Sequence, residues 1–344
     1  MKTIFVVDDN DVNLTKVKRV LEGEYRVLTI PSAERMFELI KKIMPDLILL
    51  DIDMPEMDGF TAITKLKERE DTAKIPVIFL TASTDEEIEA QGFKLGAVDF
   101  LSKPFSSTVL TNRIETHLHI DELIKKRTEK IGQLQNGIVS VIADIVESRD
   151  KITGGHIERT TMYLKIMIEG MKAKGIYVDE IKDWNIDVVT SSARLHDVGK
   201  INISDLVLNK PGKLTPEETE DMRCHAALGE QIVDRIVAKT GEGFFLHHAK
   251  LFAGYHHERW DGKGYPRGLK GREIPLQGRI MAIADVYDAL LAKRPYKPAF
   301  PREEAEEIIK NDSGIYFDPD LVAVFLSVKD EFAAVAEAFA QDGA

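Results

Sequence analysis

The stretch DLILLDIDMPEMDG, residues 46–59, decides how the first third of the chain folds. Its short apolar run leads directly into acidic residues and a proline, which is typical of a buried parallel strand. Four similar runs occur within residues 1–115, and helix-like segments such as ERMFELIKKI separate them. This alternation predicts a doubly wound α/β domain with a five-stranded parallel sheet. The other predicted strands are TIFVVDD (3–9), RVLTI (26–30), PVIFLT (76–81) and DFLSKP (99–104).

Acidic, hydroxyl and lysine side chains stand where four of these strands end. Asp8 and Asp9 end the first strand, Asp51 the third, Thr81 the fourth and Lys103 the fifth. The carboxyl ends of parallel strands share one rim, and carboxylates clustered there repel one another unless a cation lies among them. Oxygen ligands with open positions suit Mg²⁺. Asp51 is then a candidate nucleophile toward a phosphoryl group, with Lys103 offsetting the phosphoryl charge.

One uninterrupted helical pattern follows, from about residue 106 to residue 148, and it contains no proline. Its apolar residues recur at alternating spacings of three and four, with Arg127 as the one polar residue of the series, as in the seam of a coiled coil. Strongly charged flanks favour a homodimer through this helix; an amphipathic helix packed on its own domain is the alternative. The seam residues are Ile120, Ile124, Ile131, Leu134, Ile138, Val141 and Ile145.

The chain beyond residue 148 is predicted to be all-α and holds seven of the nine histidines. Their motifs lie roughly 30 to 40 residues apart, which suits a metal centre built from facing helices better than a zinc finger. Nitrogen and carboxylate ligands favour Fe, Mn, Ni or Zn over Mg or Ca. The candidates suffice for two ions bridged by a carboxylate, for which Asp197 is central. They are His156, His196, Asp197, His225, His256, His257 and Asp285.

The other histidines are given ordinary roles. His117 and His119 are predicted to be solvated, and His247 and His248 to serve in packing or at the surface rather than as ligands. The segment NKPGKLTPEE, residues 209–218, is either a mobile lid whose lysines meet phosphate or a solvated turn that leads into a helix cap.

The length, net charge and cysteine content limit the possible classes of function. A length of 344 residues favours two domains. The formal charge of −12 argues against nucleic-acid and anionic-membrane partners, and no apolar run approaches a membrane span. The one cysteine, Cys224, excludes an intrachain disulfide and is predicted to be a buried, inert thiol. These features predict a cytoplasmic protein.

Residues 2–120 resemble the receiver domain of two-component response regulators through VVDDN, LILLDIDMPEMDG, IFLTA and DFLSKPF. The resemblance implies that a sensor histidine kinase or a small phosphodonor phosphorylates Asp51. It also implies roles around that acceptor. Asp9 and Asp51 would be Mg²⁺ ligands with Asp8 in support, Asp53 would offer its backbone carbonyl to the metal, Thr81 and Phe100 would be the switch pair, and Lys103 would sense the phosphate.

Residues 137–330 resemble the HD-GYP family of metal-dependent phosphohydrolases through HDVGK, HHERWDGKGYP and ADVYDAL with RPYK. The resemblance implies a cyclic di-GMP phosphodiesterase that yields pGpG or GMP by attack of a metal-bridging hydroxide. It carries the seven ligands onto the positions given above and makes Asp197 and Lys200 catalytic. Lys200, Arg294 and Lys297 would contact phosphate, and the loop around Tyr265 would shape the substrate site.

One departure from the family pattern concerns the number of metals. Some members carry a glutamate four residues before the first ligand histidine, where this chain has Ile152, so two ions are predicted rather than three. A non-enzymatic regulator and an HD enzyme acting on another nucleotide are the alternative functions. The predicted domains are 1–120 (receiver), 121–148 (helical linker) and 149–344 (HD-GYP).

Overall fold

The structure, a computed structural model, describes residues 1–82, 85–149, 155–292 and 299–342. The chain divides into two compact units, Met1–Gly132 and Gln133–Ala344. Within the described ranges, no helix combines the length and the apolarity that a membrane span requires.

The first unit contains the predicted five-stranded parallel sheet, in the order β2-β1-β3-β4-β5. Successive residues of a strand point to opposite faces, so Phe5 and Val7 pack into one core and Ile4 and Val6 into the other. Both faces are therefore buried, which explains the continuous apolar runs in the sequence. The strands are β1 (Thr3–Val7), β2 (Arg26–Ile30), β3 (Leu47–Asp51), β4 (Val77–Thr81) and β5 (Asp99–Ser102).

Four helices of this unit connect the strands, and each begins after a residue that caps it. The side chains of Asn10, Ser32, Asp58 and Asp85 accept hydrogen bonds from backbone N–H groups in the first turn, which satisfies donors that the helix itself leaves free. The helices are α1 (Asp11–Leu21), α2 (Ala33–Ile40), α3 (Gly59–Lys67) and α4 (Glu86–Lys94).

The predicted long helix is α5, Ser107–Arg149, with 43 residues. Its other face is partly buried, since Leu118, Val139, Ala143 and Val146 are enclosed. The seven seam residues, in contrast, are 45–66% exposed. The seam itself therefore does not pack on the chain's own cores, although another face of the helix does.

Among its described residues the second unit forms helices joined by loops and no named strand, as predicted. Its main core gathers large side chains such as Tyr163, Phe252, Tyr287, Phe325 and Phe332, all fully buried. A 3-10 turn at Val198–Asn202 and another at Gly271–Glu273 interrupt the α-helices. The helices are α6 (His156–Lys174), α7 (Val178–Ile181), α8 (Ile186–Ala193), α9 (Asp205–Leu208), α10 (Pro216–Thr240), α11 (Phe244–Tyr255), α12 (Leu276–Leu291), α13 (Arg302–Asn311) and α14 (Pro319–Asp342).

The segment 209–218 leads into a helix cap. The hydroxyl of Thr215 accepts from the backbone N–H of Glu218, and the Glu218 carboxylate accepts from the backbone N–H of Thr215. The same carboxylate holds Nζ of Lys210 at 2.5 Å. Lys210 is therefore engaged by its own turn, and the capping alternative is confirmed.

Two minor predictions are wrong. His117 is not solvated, because its Nε2 lies 2.9 Å from Oδ2 of Asp99 and its side chain is only 17% exposed. Cys224 is exposed on α10 and not buried. His119 is exposed as predicted.

Candidate metal centre and phosphoacceptor site

The seven candidate ligands of the second unit come from several helices and helix ends. His156 is the first residue of α6, and His225 and Asp285 lie within α10 and α12. His196 and Asp197 lie between α8 and the following 3-10 turn. His256 and His257 directly follow α11.

These seven side chains form two groups, and the ligand atoms within each group lie within 4.8 Å of one another. We term them the histidine-rich group and the mixed group. Together they contain every ligand predicted for the second unit. The histidine-rich group is Asp197, His225, His256 and His257, and the mixed group is His156, His196 and Asp285.

The carboxylate of Asp197 faces both groups. Its Oδ2 lies 3.4 Å from Nε2 of His196, while its Oδ1 lies 3.3 Å from Nε2 of His225 and 3.6 Å from Nε2 of His256. In the mixed group, Nε2 of His156 lies 3.4 Å from Nε2 of His196. One oxygen of Asp197 thus points at each group, as a bridging carboxylate requires.

Backbone carbonyls fix which nitrogen of each ring faces the centre. Nδ1 of His196, His225 and His256 lies 2.7–3.1 Å from carbonyl oxygens of the preceding helical turn. A carbonyl only accepts, so Nδ1 carries the proton and Nε2 offers a lone pair to the centre. Oδ1 of Asp197 is buried and accepts no hydrogen bond from the described residues. Converging lone pairs and an unsatisfied carboxylate oxygen fit metal cations.

The first ligand histidine is held by residues that the sequence did not single out. Nδ1 of His156 lies 2.8 Å from Oδ2 of Asp288, which also accepts from Arg159. The backbone N–H of His156 donates to Glu147 at 2.9 Å. A signal for Asp288 exists in the sequence, since it follows Asp285 by three residues and so shares its helix face.

Lys200 lies beside the centre, with its Nζ 2.7 Å from Oδ2 of Asp197. Gly199 permits this approach, because a Cβ there would come within 1.9 Å of the His225 carbonyl oxygen. The turn that carries Lys200 is therefore packed directly against the helix that carries His225.

The loop after His257 forms a wall of the centre. The ring of Tyr265 stacks on His257 with 4.7 Å between the centroids, and its backbone N–H donates to the His257 carbonyl. Glu258, which the sequence did not single out, is buried and accepts from the backbone N–H groups of Arg267 and Leu269. A buried carboxylate thereby fixes the loop that bears Tyr265.

Three residues of the sequence predictions lie outside the described residues: Ile152, Arg294 and Lys297. His247 and His248 belong to neither ligand group. His247 is exposed, and Nδ1 of buried His248 lies 2.9 Å from Nε2 of Gln277, so the packing and surface roles are confirmed.

The rim of the first unit brings together the predicted acidic residues. Asp8, Asp9 and Asp51 form a third group of potential ligands. Nζ of Lys103 lies 2.7 Å from Asp8 and 2.9 Å from Asp51. Asn13, which the sequence did not single out, donates to both oxygens of Asp8.

The predicted switch residues lie next to this rim. Thr81 is the buried last residue of β4, and Phe100 is buried in β5. The Phe100 ring contacts Phe79 and half-exposed Phe93, with centroid distances of 5.2 and 4.9 Å. Asp53 is exposed two residues after Asp51.

Comparison with known families now assigns both units. The HD domain family matches residues 140–321, more than half of the chain, and the response regulator receiver domain matches residues 4–115. A probable cyclic di-GMP phosphodiesterase of Vibrio cholerae serotype O1 is 39% identical over 99% of this chain and 80% of its own length. The chain belongs to this family of HD-domain phosphodiesterases with a receiver domain.

Other relatives of this HD-domain protein have related names. The cyclic di-GMP phosphodiesterase response regulator RpfG of Xanthomonas campestris is 33% identical over 94% of this chain and 86% of its own length. A 3'3'-cGAMP-specific phosphodiesterase of Vibrio cholerae is 38% identical, over 58% of this chain and 35% of its own length.

The electrostatics of the HD domain keep the centre ready to bind cations. Burial raises the pKa of Asp197, but the charge of Lys200 and the neighbouring rings of His196 and His225 lower it more, so the pKa lies well below the usual value. Burial and the neighbouring rings of His256 and His225 hold the pKa of His257 well below its usual value. Asp197 is therefore ionised and His257 neutral near pH 7, which are the protonation states that ligands need.

In the receiver domain, the pKa of Asp51 is shifted in the opposite direction from that of Asp197. Burial raises the pKa of Asp51, and the hydrogen bond and charge of Lys103 only partly offset this effect. For Lys103, burial lowers the pKa but the two carboxylates outweigh it, so the pKa is raised. Lys103 therefore stays cationic beside Asp51.

Proposed function

We propose that this protein hydrolyses cyclic di-GMP at a two-metal centre formed by the histidine-rich and mixed groups. The observation that carries the proposal is the position of Asp197, whose two oxygens face one group each. Fe or Mn suits this donor set best, and Ni or Zn would also bind. The products are pGpG, GMP or both.

Two bound ions would lower the pKa of a water molecule and polarise the phosphodiester. The residues of the chain would hold the ions and offset the charge of the substrate. Asp197 bridges the two groups, and Lys200, 2.7 Å from Asp197, is placed to offset the negative charge that develops on the phosphoryl oxygens. The carbonyl-bound rings hold their lone pairs in place before metal or substrate arrives.

The loop wall supports a nucleotide substrate. Tyr265 presents an aromatic ring beside the centre, and the guanidinium of Arg223 lies 5.3 Å from its centroid. A nucleobase can stack on such a ring, and a cation nearby suits phosphate. Arg294 and Lys297 remain proposed phosphate contacts outside the described residues.

A second candidate substrate is another cyclic dinucleotide. It is favoured by the relative named a 3'3'-cGAMP-specific phosphodiesterase, whose similarity covers 58% of this chain. The two substrates share the phosphodiester bond and one guanine, so the centre would cleave the same bond in both. Only contacts with the second base would distinguish one substrate from the other.

The receiver domain is proposed to regulate this activity. Asp8, Asp9 and Asp51 would hold Mg²⁺ with the Asp53 carbonyl, and a sensor histidine kinase or small phosphodonor would phosphorylate Asp51. Thr81, Phe100 and Lys103 would respond to the phosphoryl group.

The seam of α5 is proposed to pair with a second copy of the chain. Seven apolar side chains at coiled-coil spacing are 45–66% exposed, and pairing would remove them from water. A shift of that pairing would carry the phosphorylation signal along the helix.

The deciding experiment is a turnover assay across a nucleotide panel after anaerobic reconstitution with Mn²⁺ or Fe²⁺. We expect the wild type to hydrolyse cyclic di-GMP, and Asp197→Ala to lose both turnover and bound metal. His247→Ala is the matched control, since this exposed histidine lies outside both groups. Turnover by Asp197→Ala with metal intact would contradict the bridging role, and a wild type inactive on every nucleotide would favour a binding regulator.

The number of metals is tested separately. Because isoleucine cannot ligate a metal, the chain is expected to bind two ions, although Ile152 lies outside the described residues. Elemental analysis of anaerobically purified protein should give two ions per chain in the second unit, and a third at full occupancy would contradict the proposal.

A further inference from the structure

The last residue of α5 contacts the segment that follows the His196-Asp197 pair. Nη1 of Arg149 donates to the carbonyl oxygens of Lys200 and Ile201, at 3.1 and 2.8 Å. Its Nη2 donates to the carbonyl oxygen of Ile203 at 3.0 Å and to Oδ1 of Asp205 at 2.8 Å. One guanidinium therefore binds four acceptors in six residues.

Only arginine offers this arrangement. Its guanidinium is planar, always charged and carries five N–H donors in a fixed fork, whereas lysine carries one compact ammonium on a flexible stem. Three of the four acceptors are backbone carbonyls, so the contact holds the path of the chain and not only a side chain. The fourth, Asp205, is 72% exposed, and an ion pair in water contributes little.

The segment held in this way carries catalytic groups of the proposed function. The 3-10 turn Val198–Asn202 directly follows Asp197, and Lys200 within it reaches back to Asp197. Since Arg149 binds the Lys200 carbonyl, it fixes the backbone from which that side chain extends.

The same helical turn also reaches the mixed group. Two residues earlier, Glu147 accepts the backbone N–H of His156 at 2.9 Å. The backbone carbonyl of Arg149 in turn accepts from Nδ2 of Asn209 at 2.9 Å. The end of α5 is thus tied to segments that present ligands of both groups.

We propose that Arg149 is a positioning residue that ties the end of α5 to the segment bearing Asp197 and Lys200. A displacement of the helix end then displaces both groups, which gives the linker a direct mechanical connection to the centre. The effect on turnover rests on the proposed function, but the effect on the segment does not.

Full-length Arg149→Lys and Arg149→Ala test this proposal, with Arg235→Ala, an exposed arginine of α10, as the control. Backbone hydrogen exchange is measured on metal-free protein, and cyclic di-GMP turnover after Mn²⁺ reconstitution. Both Arg149 variants should exchange faster within residues 198–205, with the amides of α14 unchanged. Their kcat should fall on the order of ten-fold or more, because small displacements of positioned groups cost at least that much.

Wild-type exchange in residues 198–205 of Arg149→Lys would overturn the proposal, because charge alone would then suffice. Wild-type kcat with faster exchange would overturn the catalytic consequence. If Arg149→Ala does not fold, Arg149→Lys decides alone. A wild type without cyclic di-GMP turnover would refute the proposed function, whereas the exchange comparison would still decide what Arg149 holds.

Discussion

Gly199 is packed against the backbone of α10 beside the proposed centre. A Cβ there would meet the carbonyl oxygen of His225 at 1.9 Å and the backbone N of Gly229 at 2.5 Å. Both neighbours are backbone atoms of α10 and cannot rotate away. We expect Gly199→Ala to lower the free energy of unfolding by about 1–3 kcal/mol, and to lower metal affinity because the turn must move from His225.

Chemical denaturation and Mn²⁺ titration measure these two effects. Gly137→Ala is the matched control, because nothing lies within 4 Å of a Cβ there and alanine favours the helix. Equal stability and equal metal affinity of Gly199→Ala and wild type would contradict the expectation.

Asp51 supplies the second prediction at this scale. Asp51, the proposed acceptor, is buried beside Lys103, while the carboxylate of Asp53 is exposed two residues away. Incubation with acetyl phosphate and Mg²⁺ should label the wild type, as intact-mass spectrometry detects, and should not label Asp51→Asn, which lacks the nucleophilic oxygen. Asp53→Asn, the matched control, should still be labelled. Equal labelling of Asp51→Asn and wild type would identify another acceptor.

Residue types that carry chemistry were predictable, and the residues that hold them were mostly not. His225 and Asp197 are conspicuous because imidazole and carboxylate are metal donors and belong to motifs spaced roughly 30 to 40 residues apart. Glu147 contacts a residue nine positions away and Arg149 contacts residues more than fifty positions away, and ordinary charged residues at a helix end give no sign of such contacts. The exposure of Cys224 likewise depends on which face of α10 packs against the core, and a single cysteine does not indicate that face.

At the scale of elements, the strands and the long helix were predictable from periodicity. Strands buried on both faces leave continuous apolar runs, whereas a helix with one apolar stripe leaves spacings of three and four. The structure of the segment 209–218 was not predictable in this way, because lysines beside a proline and a glycine suit both a lid and a cap. Only the reciprocal hydrogen bonds of Thr215 and Glu218 decide between them.

The seam of α5 gives a prediction for this scale. Leu134 is 61% exposed in the middle of the seam, whereas Gln135 is an exposed neighbour off the seam. Leu134→Lys should weaken dimerisation by ten-fold or more, on the order of the 1.5 kcal/mol or above that burial of a leucine contributes. Gln135→Lys adds the same charge and should dimerise as the wild type does. Sedimentation equilibrium measures both, and a monomeric wild type or an unchanged Leu134→Lys would contradict the proposal.

At the scale of the whole molecule, one helix from Ser107 to Arg149 belongs to both compact units. The sequence predicted this continuity because no proline or capping signal interrupts it. What it could not give is how the helix ends, and there Arg149 and Glu147 contact both ligand-bearing segments. The proposed regulation through this helix would then depend on the phase between the seam and those contacts.

Changes of helix length test that dependence. Deletion of residues 124–130 removes one heptad, so Ile131 takes the place of Ile124 and the seam stays in phase. A two-residue insertion after Lys126 turns the following helix by about 200° and breaks the phase. Both changes leave the second unit intact, so both variants should keep basal cyclic di-GMP turnover. The ratio of turnover with and without acetyl phosphate should stay at the wild-type value after the deletion and approach one after the insertion. A wild-type ratio of one would exclude regulation by phosphorylation, and an unchanged ratio after the insertion would exclude the seam as its route.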